Sequence, residues 1–394
     1  MMKKTKRLNI AHMHWGFPPI IGGVETHLTI ILPEMVELGH RVSLLTGSVE
    51  GMKGFYKYKG VNVYRTPLMD LNWLFKRGLA GLEEEVNSAF SNFIDKSKPD
   101  IIHAHNMNYF SKIHAEALQD ISKKKGVPIF LTAHNSWDDL LFLELAHKID
   151  WTHIIAVSFF IKKELMGAGI DDRKISVIHH GVDEERFKPK IVPKRILEKY
   201  PQLKGRPVVF HPARMGLAKG CDVSVKAISR IKERHPDVIL VLAGSKNIID
   251  WGSSQQKDIA YIVNLIKHFN LEDNMLIDCY SLDDMPQLYA ASTVCIYPSS
   301  VGEPFGLTML EALASGKPMI VTNSGGMPEI IRDGINGFVI PIRDFEVLAS
   351  RINQVIEDYK LRIRLGYTGR KMVESQYTKR RVTEENILVY RRFL

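Results

Sequence analysis

The sequence predicts a two-domain α/β protein, each domain a doubly wound, mainly parallel sheet, and three observations carry that expectation. A strand, a glycine-containing loop, a helix and a second strand follow one another between Leu8 and Thr46, the order of a βαβ unit that binds ligands at the carboxyl ends of its strands. The same order restarts at Pro207. At 394 residues the chain is also long enough for each half to bury a core of its own.

Leu8 to His14 reads as a short apolar strand and Trp15 to Gly23 as a loop rich in Pro and Gly. Glu25 to Leu38 has helical character and is stopped by Gly39; Pro33 inside it predicts a kink. Arg41 to Thr46 and Val61 to Thr66 are the next strands. Between Met69 and Leu79, an apolar cluster (Leu71, Trp73, Leu74, Phe75) with Lys76 and Arg77 behind it reads as a helix start packed on the core, with an acceptor- or membrane-contacting segment as the alternative. Pro99 to Asn106 and Pro128 to Thr132 are strands that run into loops. His103-Ala104-His105 could be half of a metal site, but the sequence places no third ligand, so no metal is expected. His153 to Phe160 and Lys174 to His179 complete the strands of the first half, and the charged stretch from Lys190 to Lys204 reads as a linker.

The second half opens with a strand, Pro207 to His211, a turn at Pro212-Ala213-Arg214, and Lys219-Gly220 ahead of a helix with apolar positions at Val223, Ala227, Ile228 and Ile231. Val238 to Ala243, Asn274 to Cys279 and Val294 to Tyr297 are further strands. Leu282-Asp283-Asp284 looks superficially like a metal-binding Asp-x-Asp, but it lacks the spacer and stands where Asp caps a helix. Asp333 to Pro341 is a turn and final strand, and helices occupy the rest from Asp344.

One stretch carries most of the chemistry. Pro304 and Gly306 break any regular element before Leu307, and Leu307, Leu310, Glu311 and Ala314 then recur at helical spacing until Gly316 and Pro318. Glu303 therefore sits in the entry loop and Glu311 in the second turn, with the free N–H groups of the helix start between them. A helix N-terminus beside glycine attracts anions, and a carboxylate accepts two hydroxyls at once, as a vicinal diol requires. Phosphate flanked by two polyol-binding carboxylates describes a nucleotide-sugar.

The string from Glu303 through Glu311, followed by Ala312-Leu313-Ala314-Ser315-Gly316-Lys317-Pro318 and Gly325-Gly326-Met327-Pro328-Glu329, resembles the donor-site motif of the family-4 retaining glycosyltransferases. Gly181-Val182-Asp183 with Phe187-Lys188-Pro189 resembles the passage between their two domains, and Gly22-Gly23 matches their first loop. Where the family usually reads Gly-Arg, this chain has Ala213-Arg214. The resemblance implies the GT-B fold: two facing Rossmann-like domains, an acceptor-side domain at 1–190, a donor-binding domain at 191–375, and a terminal helix at 376–394 crossing back to the first.

By the same resemblance, Glu311 should bind the ribose hydroxyls and Glu303 those of the donor hexose. Phe305, Gly306, Leu307 and Thr308 should line phosphate and sugar, largely through backbone. Arg214 and Lys219 should hold the diphosphate with Gly22 and Gly23 closing over it, and His134 should lie against the transferred sugar. The implied activity is retaining transfer of a hexose or N-acetylhexosamine from a nucleotide-diphosphate sugar, with UDP as the default donor nucleotide, to a glycan, lipid-linked or small-molecule acceptor. No cofactor and no metal is expected. A non-hydrolysing nucleotide-sugar epimerase and a non-catalytic nucleotide-sugar-binding subunit are the alternatives.

Composition excludes other classes. With 45% apolar and 25% charged residues the chain is globular in composition, and its three cysteines, Cys221, Cys279 and Cys295, lack paired or metal-type spacing. No secretory h-region and no apolar run of membrane-spanning length is found, so a cytoplasmic protein is expected. The net charge of +9 is uneven: from Asp358 to Leu394 there are ten Lys/Arg against four Asp/Glu. Motifs for reading nucleic acid are missing. A solvated helix face or peripheral contact with an anionic membrane at its inner face accounts for that charge.

Overall fold

The computed structural model describes residues 6–136, 139–244 and 254–394. The described chain divides into two compact units, residues 6–180 with Lys379–Leu394 and residues 181–244 with 254–378.

The first unit contains strands β1 (Asn9–Met13), β2 (Arg41–Gly47), β3 (Phe55–Tyr58), β4 (Val61–Thr66), β5 (Ile101–His105), β6 (Ile129–Ala133), β7 (His153–Ala156) and β8 (Ile175–Val177). They form one sheet in the order β3-β4-β2-β1-β5-β6-β7-β8, parallel except for the β3–β4 pair. Its helices are α1 (Gly23–Glu37), α2 (Leu71–Arg77), α3 (Glu83–Ser97), α4 (Lys112–Lys125), α5 (Leu140–Lys148) and α6 (Phe159–Gly167). Central strands such as β5 and β6 are buried along their whole length, as a parallel strand covered on both faces must be. The strand order reverses between β1 and β5, which makes their carboxyl ends the switch point where such sheets bind ligands.

Several local expectations change. Sequence inspection did not predict β3, an antiparallel edge strand. α1 runs on through the buried Pro33. Phe159 and Phe160 are helical, because the Ser158 hydroxyl accepts from the Ile161 N–H and starts α6. In α2, Leu71 and Leu74 are buried while Phe75 is 53% exposed, so the segment is packed on the core as expected and leaves one aromatic outside.

The second unit begins with α7 (Lys194–Lys199), where a linker was expected. Ile196, Tyr200 and Leu203 are buried, so this charged stretch is part of the fold and its cations lie on the outer face. Strands β9 (Val208–His211), β10 (Ile239–Gly244), β11 (Met275–Cys279), β12 (Val294–Tyr297), β13 (Met319–Thr322) and β14 (Gly337–Ile340) alternate with α8 (Cys221–Ile231), α9 (Ser254–His268), α10 (Met285–Ala291), α11 (Leu307–Ala314) and α12 (Met327–Ile330), and α13 (Phe345–Glu357) and α14 (Tyr359–Gln376) follow. The sheet order is β11-β10-β9-β12-β13-β14, all parallel, with its switch point between β9 and β12. Asp284 does stand at the start of α10, but its carboxylate makes no capping hydrogen bond to the helix. Oδ2 accepts from the Ser281 N–H and hydroxyl at 3.0 and 2.7 Å, and Oδ1 pairs with Arg195 at 2.6 Å.

The last helix, α15 (Lys379–Arg391), belongs to the first unit. Val382, Ile387, Val389 and Tyr390 join Leu28, Ile31 and Leu32 of α1 in one core. Many cations of the basic tail are engaged: Arg380 pairs with Glu384 and Glu34, and Arg381 with Glu385 and the His179 carbonyl.

Candidate functional site

In the second unit, the loops leaving β9 and β12 come together at the switch point. The Ala218 carbonyl accepts from the Ser300 N–H at 3.0 Å and from the Ser299 hydroxyl at 3.1 Å. Gly220, with φ of +76°, lies so close to Pro298 that an added Cβ would fall 1.8 Å from its carbonyl oxygen, so only glycine fits there.

This clamp sets Lys219 beside Glu303. Lys219 Nζ donates to Glu303 Oε2 at 2.8 Å, and the Tyr297 hydroxyl donates to the same oxygen at 2.6 Å. Burial opposes the Lys219 ammonium, but Tyr297 and Glu303 outweigh it, and the lysine is held charged with its pKa above the ordinary value. Burial likewise pushes the Tyr297 phenol up, so it stays a proton donor. The ammonium also lies 5.6 Å from the Tyr297 ring centre.

Gly306, at φ +84°, precedes the first turn of α11. Phe305 is buried, so its side chain serves the core and its backbone borders the site. Thr308 Oγ1 is buried with no hydrogen-bond partner among the described residues. Glu311, in the second turn, is 8% exposed and accepts from the Tyr289 hydroxyl at 2.7 Å. Burial raises its pKa to about 7, with the Tyr289 hydrogen bond and Arg186 pulling the other way. Gly325 completes the loop around Glu303. Its φ is +57°, an added Cβ would fall 2.1 Å from the Glu303 carbonyl oxygen, and the Gly326 N–H donates to that oxygen at 2.8 Å. Arg214 is exposed and makes no ion pair among the described residues. Lys219, Glu303 and Glu311 are thus arranged around one helix start, and Arg214 stays at its solvent margin on the same β9–α8 loop.

In the first unit, Gly22 is the residue before α1 and Gly23 its first residue. An added Cβ on Gly22 would meet the Glu25 carboxylate at 2.3 Å. That carboxylate folds back over the helix start and meets His14 Nε2 at 3.2 Å. The anion at this helix start is therefore the protein's own Glu25, a residue the sequence reading passed over.

His134 lies in a cluster of buried histidines. Its Nε2 is 3.0 Å from His105 Nδ1 and its Nδ1 is 3.3 Å from His180 Nε2, while its backbone N–H donates to Asn106 Oδ1 at 2.8 Å. Both ring nitrogens are thus turned toward other histidines. Burial, and then His180, holds its pKa well below the ordinary value, so the ring is neutral.

Residues 194–372 match the family described as glycosyl transferases group 1, and residues 21–186 match glycosyltransferase family 4. The chain belongs to the family-4 glycosyltransferases. An uncharacterised glycosyltransferase of Methanocaldococcus jannaschii is 25% identical over 98% of both chains. Spore coat protein SA of Bacillus subtilis is 29% identical over 78% of this chain and 82% of its own. In fold, the chain is similar to Anabaena HepE, solved in complex with UDP and glucose, at a TM-score of 0.77 and 21% identity over 97% of this chain and 99% of that one.

Two partners of the carboxylates in this glycosyltransferase, Tyr297 and Tyr289, were missed in the sequence. Tyr297 ends a predicted strand six residues before Glu303, and that position at a strand's carboxyl end was the available signal. Tyr289 lies on α10 and had none.

Proposed function

We propose that this glycosyltransferase moves a hexose or N-acetylhexosamine from a UDP-sugar to a hydroxyl of a glycan, lipid-linked or small acceptor, with retention of configuration. The observation that carries the reading is Lys219, held charged on Glu303 and Tyr297, on one side of the α11 start, with Glu311 one turn further in.

When the glycosidic bond breaks, negative charge grows on the departing diphosphate. A fixed ammonium stabilises that charge more in the transition state than in the ground state. Glu303 takes hexose hydroxyls, the free N–H groups at the start of α11 and the unpartnered Thr308 hydroxyl take phosphate oxygens, and Glu311 takes the ribose diol. Lys219, Arg214 and the helix start supply the positive charge, so this reading needs no metal at the donor. The donor's phosphate, in this reading, accepts the proton of the attacking hydroxyl on the face the leaving group vacates, which gives retention. HepE's complex with UDP and glucose supports uridine as the base. We place the reaction in the cytoplasm. Tyr359, Ile363 and Tyr367, exposed at 64%, 52% and 64% along one face of α14, support peripheral contact with an anionic membrane, and flotation with and without anionic vesicles tests it.

The deciding experiment screens thermal stability against UDP, GDP, ADP and their sugars, followed by proton NMR of the product's anomeric centre. Stabilisation by UDP compounds, about 2.7 kcal/mol at 100 times Kd, and a retained anomer are expected. No stabilisation by any diphosphate, or an inverted product, would refute the proposal. A donor consumed to an isomer without acceptor would mark an epimerase instead.

A further inference from the structure

β1 and β5 are neighbours in the first unit, and their parallel register sets His12 opposite His103. Side chains alternate along a strand, so His105 shares the face of His103. One ring nitrogen from each of His12, His103 and His105 lies within 4.8 Å of the other two, and all three residues are fully buried. We propose that these three imidazoles form a binding site for one late first-row divalent cation of the zinc class, tying β1 to β5.

Neutral imidazole is the favoured nitrogen ligand of zinc, cobalt, nickel and copper. A neutral imidazole has one ring nitrogen whose lone pair can bind a metal. Two of the rings are also oriented from outside, as ligating histidines are. His103 Nδ1 is 2.6 Å from the Tyr390 hydroxyl, and His105 Nδ1 is 3.0 Å from His134 Nε2. With its proton on Nδ1 toward His134, His105 has its Nε2 lone pair directed at His12 Nδ1, 3.0 Å away. A cation between those two nitrogens replaces their hydrogen bond, and His12 then carries its proton on Nε2. Binding on His103 Nε2 displaces the Thr132 hydroxyl, now at 2.7 Å. His12 Nε2 has no hydrogen-bond partner among the described residues although it is buried. His12 thus has a ring nitrogen that no other described group engages, and it can carry the proton that leaves Nδ1 for the ion. Each ring keeps one proton throughout, so the charge of the bound ion is balanced from outside the triad. The Glu25 carboxylate, on His14, whose ring packs edge-on at 6.3 Å from that of His105, is the anion this arrangement offers. The site belongs to the first unit, whereas the donor reading rests on residues of the second, so the two can fail separately.

The test uses the full chain without a polyhistidine tag, stripped with chelator and dialysed against Zn²⁺ or Co²⁺. Near-stoichiometric uptake is expected, with a raised Tm in Zn²⁺, a visible Co²⁺ absorption band, and affinity at least about tenfold lower in His12→Gln and His105→Gln. His235→Gln, whose ring pairs with Glu357 at 3.2 Å in the second unit, should bind as the wild type does. Anomalous diffraction at the zinc edge should put the ion between β1 and β5, a readout that does not depend on the variants folding. Uptake well short of one ion per chain by the wild type would overturn the proposal. So would full uptake that survives both triad substitutions, or an anomalous peak elsewhere.

Discussion

Glu311→Gln should make the free protein more stable and the enzyme worse, and the two effects should have different pH dependence. Burial raises the Glu311 pKa from 4.5 to about 7. A raised carboxyl contributes stability that is fully present below the unfolded value of 4.5 and is lost as pH rises through about 7. At about 1.4 kcal/mol per pH unit, carrying the charge at pH 8 costs the fold about 3 kcal/mol. Glutamine keeps an acceptor for the Tyr289 hydroxyl and never ionises. The variant should therefore match the wild type near pH 4 and exceed it by about 3 kcal/mol at pH 8. For a unit of this size that is about 6–12 °C in Tm. Donor affinity should move the other way, since under the proposed function the charge-assisted bonds lost to the ribose diol contribute about 1.5–3 kcal/mol each. The assay is calorimetric unfolding of both proteins across that pH range, paired with calorimetric titration of UDP at pH 8. A variant less stable than wild type at pH 8, a stability difference independent of pH, or unchanged UDP affinity would each refute the reasoning.

Lys219→Ala should lower kcat by about 10²–10³ with little change in KM, because in the proposed reaction its charge is needed most as the diphosphate departs; steady-state kinetics showing a rise in KM alone would assign it to uniform binding. Gly325→Ala forces a side chain into a left-handed position against the Glu303 carbonyl. It should lower stability by about 1–3 kcal/mol and weaken donor binding, both read by thermal shift with and without UDP. His114 has its pKa lowered to about 4, chiefly by burial, and is hydrogen bonded to Ser111 and the Leu68 carbonyl. Below the unfolded value of 6.5 the unfolded chain takes up a proton that the fold refuses, so stability falls as pH drops from 6.5 toward 4, by about 1.4 kcal/mol per pH unit for this group. Urea unfolding at pH 7 and 5 should show a smaller drop for His114→Gln than for wild type.

What the sequence determined by itself is mostly local. The strands at Val61–Thr66 and Val294–Tyr297 end where expected, and α11 starts at Leu307 because Pro304 and Gly306 forbid an earlier start. Glu303 and Glu311 could be placed around that start from helical spacing alone. Failures came where a short-range signal met a long-range partner. Charge made Lys190 to Lys204 look like a linker, yet three apolar side chains in it found a core. Asp284 had a capping position, but Ser281 and Arg195 took its oxygens.

Only tertiary structure could set Lys219 on Glu303, because 84 residues separate them and their meeting depends on β12 pairing beside β9. The same holds for the histidines. His12 and His14, like His103 and His105, sit two apart and so share a face of their strand, which sequence alone can show. That the two strands are adjacent, and that His134 and His180 extend the cluster, follows from sheet order. Propensity and capping act within a turn or two of helix, whereas strand order is settled by how the whole set of apolar faces is buried. For that reason the elements of this glycosyltransferase are legible along the chain and the partners of its polar side chains are not.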